Sequence, residues 1–267
     1  CGPVGVIDPE VGVIKLSPLA RPRKTLALFF NHAGHPNVMS GENYLISPDY
    51  PGLAERLLEK EFGGTAIFIN GAQGSMDIDG LKDRDWVGVN RVGKALADAV
   101  ARTTEWIEPS PKAAIRGAVA NYTVPARKIT DAEMAWAEEI LGQTGGAIKA
   151  VADGVGDDYK ATLYKHLRQI QDKAVPMEQV CIAIDDCALI SFPGELFTEI
   201  GTRIKAGSPF RYTYILDLGN GSIGYLPTRT AIRQGGYEPD TREVDGSAEE
   251  IVVAQSLKLL RRVAGMR

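Results

Sequence analysis

Two short apolar runs, joined through a helix-like segment, constrain the fold of this chain most. The runs are TLALFF at 25–30 and TAIFIN at 65–70, each with the length of a buried strand. Between them, residues 51–62 (PGLAERLLEKEF) place leucines at helical spacing behind a proline in the first turn. This strand–helix–strand order predicts an α/β fold with at least partly parallel strand pairing.

The rest of the chain continues the alternation of strands and helices. Further strands are predicted at 11–17, 113–122 and 212–218, with two more inside 179–192 that turn at Asp185 and Asp186. Further helices are predicted at 86–102, 130–142, 157–172, 195–205 and 248–263, and a loop at 219–236. We expect mixed β-sheet layers flanked by helices in one domain, with the site in strand-end loops and a helical insertion around 125–175.

Composition excludes several classes of protein. The 267 residues are 44% hydrophobic and 24% charged, and no apolar run approaches the about 18 residues of a transmembrane helix. A formal charge of −4 with mixed signs gives no reason to expect nucleic acid as a partner. Cys1, Cys181 and Cys187 are too few for a disulfide framework, and we interpret the last two as buried thiols. So few cysteines fit either cytoplasm or periplasm.

Two of the three histidines, His32 and His35, lie three residues apart just beyond the first apolar run. Loops at the carboxyl ends of strands are favoured places for sites in α/β proteins. Pro36 restricts the backbone conformation of His35. Such a restriction suits a metal ligand, whose side chain needs a fixed direction. A hydrogen-bonded loop histidine is the ordinary alternative.

Three further segments place polar groups at predicted strand ends. Glu195 follows Pro-Gly at the expected start of a helix, where it either stabilises the helix dipole or serves as a metal ligand or general base. Tyr225 lies in the glycine-rich stretch 219–228, as a core tyrosine or a site residue. The loop 70–79 (NGAQGSMDID) is suited to an oxyanion hole and has no P-loop pattern.

Taken in chain order, seven segments resemble the catalytic domain of the neutral/alkaline non-lysosomal ceramidase family. They are residues 6–13, 31–36, 45–52, 71–79, 192–197, 220–228 and 235–238. Residues 109–173 match none of the family's segments. The resemblance implies that this chain is the C-terminal larger part of a ceramidase-like catalytic domain.

The resemblance also implies a zinc amidase. His35, Glu195 and Tyr225 correspond to three of the family's zinc ligands, and all three residue types are plausible zinc donors. Zinc would polarise the amide carbonyl and lower the pKa of bound water. We further assign Tyr225 and Asn70 to catalysis, with Asn70, His35 or a backbone N–H as the oxyanion donor. The residues expected to bind substrate are His32, Gly74, Ser75 and Asn220.

Two departures from the family pattern direct attention to Cys1. The family takes another histidine ligand from a His-x-His segment upstream of the Asp-Pro-Glu motif at 8–10, and this chain has nothing there. Asp77 occupies the position of the family's nucleophilic serine, with Ser75 two residues away. If an upstream segment was removed by cleavage, Cys1 is placed as an N-terminal nucleophile, with an α-amino group of pKa about 8 as its base. A processed end with an inert cysteine is the alternative.

We therefore predict a hydrolase that cleaves the amide bond of a small or amphiphilic molecule with the help of zinc. The first alternative is an autoprocessed N-terminal-nucleophile amidohydrolase that uses Cys1. The second is a non-catalytic binding subunit. The expected partners are a small-molecule amide substrate and an N-terminal fragment as second subunit.

Overall fold

The predicted α/β class is confirmed by the structure, a computed structural model. It describes residues 5–39, 43–76, 78, 83–149, 151 and 155–266. The described strands form three β-sheets with helices packed on them. No helix in these ranges is both long enough and apolar enough to cross a bilayer.

The first sheet contains the two apolar runs that constrain the fold. Its strands are β1 (Val11–Leu16), β2 (Ala27–His32) and β3 (Thr65–Asn70), in that order. β1 is antiparallel to β2, whereas β2 and β3 are parallel, as the strand–helix–strand order predicts. Helices α1 (Asp49–Phe62) and α2 (Trp86–Glu105) cover this sheet through a shared apolar core.

The register of the parallel pair positions two site loops. His32, the last residue of β2, lies opposite Asn70, the last residue of β3. The loops that follow these strands therefore start side by side at one edge of the sheet. His32 belongs to the strand rather than to the loop expected from the sequence.

The second sheet has four strands in the order β4 (Ile115–Pro125), β5 (Ala174–Ile184), β6 (Cys187–Phe192) and β8 (Tyr212–Asp217). The predicted turn between β5 and β6 at Asp185 and Asp186 is confirmed. β6 and β8 are parallel and are connected through helix α5 (Thr198–Gly207). Helix α8 (Ala248–Ala264) packs on this sheet.

The third sheet is a pair of two-residue parallel strands, β7 (Glu195–Leu196) and β9 (Tyr225–Leu226). The N–H groups of Glu195 and Phe197 donate to the carbonyl oxygens of Gly224 at 3.0 Å and Leu226 at 3.1 Å. This pairing keeps the segment extended, and α5 begins only at Thr198. The prediction of a helix from Glu195 is therefore wrong, and the helix dipole does not explain this carboxylate.

The stretch 219–236, expected to be a loop, contains β9 and helix α6 (Arg229–Gln234). The Thr228 side chain caps that helix by accepting a hydrogen bond from the Ala231 N–H at 3.1 Å. A short helix α7 (Tyr237–Thr241) follows. The tertiary pairing with β7, rather than local propensity, orders the start of this stretch.

One buried side chain joins the first two sheets at the edge that carries the site loops. The Asn31 amide nitrogen donates to the carbonyl oxygens of Ile69 and Ile215, both at 2.9 Å. Ile69 belongs to β3 and Ile215 to β8. The strand ends of both sheets are therefore held in one fixed arrangement.

Helices α3 (Asp131–Thr144) and α4 (Asp157–Ile170) lie between β4 and β5 in the chain and share a small core of their own. Lys160 of α4 forms an ion pair with Asp240 of α7, with an N–O distance of 3.3 Å. The helical pair is thereby attached to the segment that follows Tyr225.

The two described cysteines are free thiols. Cys181 is buried, as predicted, but Cys187 is only half-buried. Burial raises the pKa of Cys181 to about 11. Burial and the neighbouring Asp186 and Glu10 raise the pKa of Cys187 to about 12.

Candidate active site

Three strand-end segments bring His35, Glu195 and Tyr225 together. His35 follows β2, whereas Glu195 and Tyr225 lie directly opposite each other in the pairing of β7 with β9. His35 Nε2 is 3.1 Å from Glu195 Oε2 and 3.3 Å from the Tyr225 hydroxyl. Three side chains from distant parts of the chain thus converge on one point.

Gln73 sets the orientation of the His35 ring from the other side. Its side-chain oxygen lies 3.0 Å from His35 Nδ1 and can only accept a hydrogen bond. Nδ1 therefore carries the proton, and Nε2 is the nitrogen that faces Glu195 and Tyr225. Gln73 is buried, which fixes this arrangement.

The two separations from His35 Nε2 are compatible with a zinc ion. Zinc binds nitrogen and oxygen at about 2.0–2.1 Å in a tetrahedral arrangement, which separates neighbouring donors by about 3.3 Å. The observed separations from His35 Nε2 are 3.1 and 3.3 Å. In its uncharged form, with the proton on Nδ1, the His35 ring would direct its Nε2 lone pair toward a cation held beside the Glu195 carboxylate.

A metal site at this point depends on the tyrosine. Over the part of the chain that the structure describes, no three His, Cys, Asp or Glu side chains are placed to hold a metal ion. A third protein donor at this point would therefore have to be Tyr225. Burial, and then the charge of Glu195, raise the pKa of Tyr225, so its hydroxyl keeps its proton at neutral pH when no cation is bound.

Tyr237 of α7 packs against Tyr225 at the edge of the cluster. The ring centroids are 5.7 Å apart with the edge of one ring toward the face of the other. The two hydroxyls share a side-chain hydrogen bond, and 41% of Tyr237 is exposed. Tyr237 therefore lies between the candidate site and the solvent.

Asp217 lies behind the cluster at the end of β8 and is buried. Its Oδ2 atom accepts hydrogen bonds from the backbone N–H groups of Gln73 at 3.1 Å and Leu196 at 2.8 Å. Its Oδ1 atom has no hydrogen-bond partner among the described residues. Burial raises the pKa of this carboxyl well above its ordinary value.

Several backbone N–H groups of the loop after β3 donate hydrogen bonds to groups inside the protein. The N–H groups of Gly71, Gly74 and Met76 donate to carbonyl oxygens of this loop and its neighbours, at 2.9, 2.9 and 2.7 Å. Asn70 is close to the cluster, and its amide nitrogen donates to the Gln73 side-chain oxygen. The role expected for Asn70 as an oxyanion donor remains a prediction.

Other residues predicted to bind substrate lie around the cluster rather than in it. His32 Nδ1 is 3.1 Å from the Glu10 carbonyl oxygen, and the ring lines an apolar cavity of about 270 Å³. The Ser75 hydroxyl accepts from the Thr198 N–H at 3.0 Å, so it caps α5. Asn220 donates to Glu178 at 3.0 Å and lines a separate cleft. Cys1, Asp77 and Asp79 lie outside the described residues.

Gln73, Asp217 and Tyr237 are the residues that sequence reasoning missed. Gln73 and Asp217 touch the predicted ligands or their backbone, but neither belongs to a recognisable ligand pattern. The signal available was position: Asp217 ends a strand next to the glycine-rich loop, and Gln73 is a lone amide between two glycines. Their partners are visible only in three dimensions.

The fold and the site define an α/β protein with a histidine–carboxylate–phenol cluster at its strand ends. Its fold is that of neutral ceramidases, which confirms the resemblance seen in the sequence. The structure matches neutral ceramidase from Pseudomonas aeruginosa with a TM-score of 0.63 and 16% identity, covering 96% of this chain and 47% of that one. It matches a ceramidase complexed with C2 with a TM-score of 0.64 and 15% identity, covering 96% and 49%.

The chain therefore spans about half the length of these two ceramidases. No protein-family profile matches the chain, and no curated protein matches it significantly. At this level of identity the likeness establishes the fold. It does not establish the substrate or the reaction of this chain.

Proposed function

We propose that this chain hydrolyses an amide bond in a small or amphiphilic substrate with the help of zinc. The observation that carries the proposal is the convergence of three side chains. His35 Nε2 lies 3.1 Å from Glu195 Oε2 and 3.3 Å from the Tyr225 hydroxyl. The ceramidase fold favours a lipid-like amide as the substrate class.

His35, Glu195 and Tyr225 would hold the metal. When bound, zinc supplies a Lewis acid for the amide carbonyl and a water of lowered pKa. Gln73 keeps the His35 proton on Nδ1, so Nε2 would be the nitrogen that binds the metal. Tyr237, half-exposed beside Tyr225, is placed to contact the part of the substrate that extends toward solvent.

The test combines zinc content with turnover. Elemental analysis of the purified protein is expected to give one zinc per chain, and a panel of fluorogenic N-acyl amides of increasing acyl length to show hydrolysis. His35→Gln is expected to abolish both, whereas the matched control His166→Gln, an exposed histidine on α4, changes neither.

Three outcomes would separate this proposal from its alternatives. A wild-type protein without stoichiometric zinc contradicts it. Retained ligand binding without turnover of any amide supports a non-catalytic binding subunit. Under this proposal Cys1→Ser leaves turnover unchanged, and its loss would favour the N-terminal-nucleophile alternative.

A further inference from the structure

A single carboxylate oxygen joins the loop after β3, whose Gln73 orients His35, to the strand β7 that carries Glu195. Asp217 Oδ2 accepts one hydrogen bond from the Gln73 N–H at 3.1 Å and another from the Leu196 N–H at 2.8 Å. The Gln73 side chain holds the His35 ring at 3.0 Å, and Leu196 directly follows Glu195. Asp217 is thus one residue away from each of two proposed ligands.

We propose that Asp217 is a positioning residue that fixes the distance between His35 and Glu195. This inference rests on the proposed zinc site, since it describes how that site is held. Asp217 touches neither the metal position nor the reacting atoms, and it acts through Gln73 and the backbone of β7.

The burial of Asp217 argues for such a role. Burying a carboxylate costs stability unless its oxygens are well paired, and Oδ1 is buried without a hydrogen-bond partner among the described residues. A neutral amide would accept the same two N–H groups at lower cost. What the two segments share is therefore the acceptor oxygen Oδ2 and not the charge of the side chain.

A second contact shows how closely these segments approach each other. The Gly74 N–H donates to the Leu196 carbonyl oxygen at 2.9 Å. A Cβ atom on Gly74 would lie 2.5 Å from the Glu195 carbonyl oxygen, so the loop and β7 have no room to shift toward each other. Asp217 opposes movement in the other direction, because separation of the segments breaks one of its two hydrogen bonds.

The experiment measures zinc affinity, by competition with a chromophoric chelator, in the wild type and matched variants. Asp217→Ala removes both hydrogen bonds and is expected to weaken zinc binding by about 10–100-fold. Gln73→Met removes the side-chain contacts to His35 and Asn70 but keeps both hydrogen bonds of Asp217, and it is expected to weaken zinc binding by at least about 10-fold. Asp217→Asn keeps an acceptor oxygen and is expected to stay within about threefold of the wild type.

Ser256→Ala is the matched control for loss of a buried polar contact. Ser256 is fully buried and bonded to Gln179 on the far side of the second sheet, so its loss lowers stability without touching either segment. Its zinc affinity is expected to equal that of the wild type. If Asp217→Ala does not fold, Gln73→Met and Asp217→Asn carry the test.

A second readout does not require zinc. In the metal-free protein, the Nδ1 proton of His35 is expected to give a slowly exchanging NMR signal, assigned by its loss in His35→Gln. Asp217→Ala and Gln73→Met are expected to lose this signal, and Asp217→Asn and Ser256→Ala to keep it.

The two readouts distinguish the failure of this inference from that of the proposed function. If the wild type does not bind zinc but shows a His35 NMR signal that is lost in Asp217→Ala, the zinc proposal is overturned and the positioning role is supported. Unchanged zinc affinity and an unchanged signal in Asp217→Ala overturn the positioning role and leave the zinc site standing. If the His35 NMR signal is unchanged in Gln73→Met, Gln73 does not hold the ring, and the positioning role is overturned as well.

Discussion

Glu195 and Tyr225 are direct partners in the parallel pairing of β7 with β9. The N–H groups of Glu195 and Phe197 donate to the carbonyl oxygens of Gly224 and Leu226, so the carboxylate and the phenol are presented to His35 as one unit. His35 reaches the same point from the first sheet. The cluster is therefore assembled from two rigid halves, and its geometry is sensitive to the contacts between them.

Removing the Tyr225 hydroxyl tests whether this group takes part in the chemistry. Tyr225→Phe keeps the ring that packs on Tyr237 and is expected to leave the melting temperature nearly unchanged. We expect kcat/KM for the amide panel to fall by at least about 10²-fold, the size of effect seen when one preorganised polar group is lost. Tyr212→Phe, at the opposite end of β8 from Asp217, is the control. Equal activity of both variants would exclude a role for the hydroxyl.

A methyl group at Gly74 is expected to displace Glu195 from His35 and Tyr225 without contacting these three side chains. The added Cβ would lie 2.5 Å from the Glu195 carbonyl oxygen, so β7 must move. Overpacking of this kind costs about 1–3 kcal/mol. We expect Gly74→Ala to lower both the unfolding free energy in urea titrations and the zinc affinity.

Gly142→Ala in α3 is the matched glycine variant. A Cβ there has nothing within 4 Å, and the residue lies inside the helix. Alanine in a helix interior is favoured over glycine by about 0.5–1 kcal/mol, so this variant is expected to be more stable. A zinc affinity reduced as much as in Gly74→Ala would show that the effect is not local to the site.

The capping box of α3 predicts an acid-sensitive contribution to stability. Burial alone would raise the pKa of Glu133, but hydrogen bonds from Thr130 and Arg127 outweigh it and lower the pKa. The carboxylate therefore stabilises the fold above its unfolded pKa of about 4.3, and this contribution is lost as the pH falls through the lower folded value. The stability difference between the wild type and Glu133→Gln should be full at neutral pH and shrink in acid.

Urea titrations across this pH range measure that difference. Glu138→Gln, on the exposed face of the same helix, is the control and should show a much smaller difference at any pH. A wild-type advantage over Glu133→Gln that grows in acid would contradict the assignment.

The raised thiol pKa values predict inert cysteines. With pKa values of about 11 for Cys181 and about 12 for Cys187, few thiolates exist near pH 8. Alkylation of these two residues by iodoacetamide is expected to be at least about 10²-fold slower in the native protein than in guanidinium chloride. Peptide mass spectrometry measures both rates. Rapid native labelling of Cys187 would show that its burial is less protective than the structure indicates.

The sequence predicts well what depends on local pattern. The runs that became β2 and β3 have strand length and composition, the segment between them has helical spacing, and their order predicts the parallel pairing. It predicts less well what depends on distant partners. Glu195 follows Pro-Gly as a helix start would, yet the oxygens of Gly224 and Leu226, far along the chain, hold it extended.

Some residues of the candidate site could be predicted from the sequence, and others could not. His35, Glu195 and Tyr225 were named through the family resemblance, and the structure brings these three together. His32, three residues before His35, points to a different cavity because it still belongs to β2. Gln73 and Asp217 act on other residues rather than on a ligand, so no residue pattern marks them in one sequence.

The pairing of Pro125 with Ala174 means that the chain leaves the second sheet and returns to it at adjacent points. The α3–α4 pair is thus a side branch whose length and sequence can diverge while the register of β4 and β5 is inherited unchanged. An ion pair between Lys160 of α4 and Asp240 of α7 reaches the neighbourhood of Tyr237. A change in the α3–α4 pair can therefore alter the surroundings of Tyr237 while the pairing of β4 with β5 stays the same.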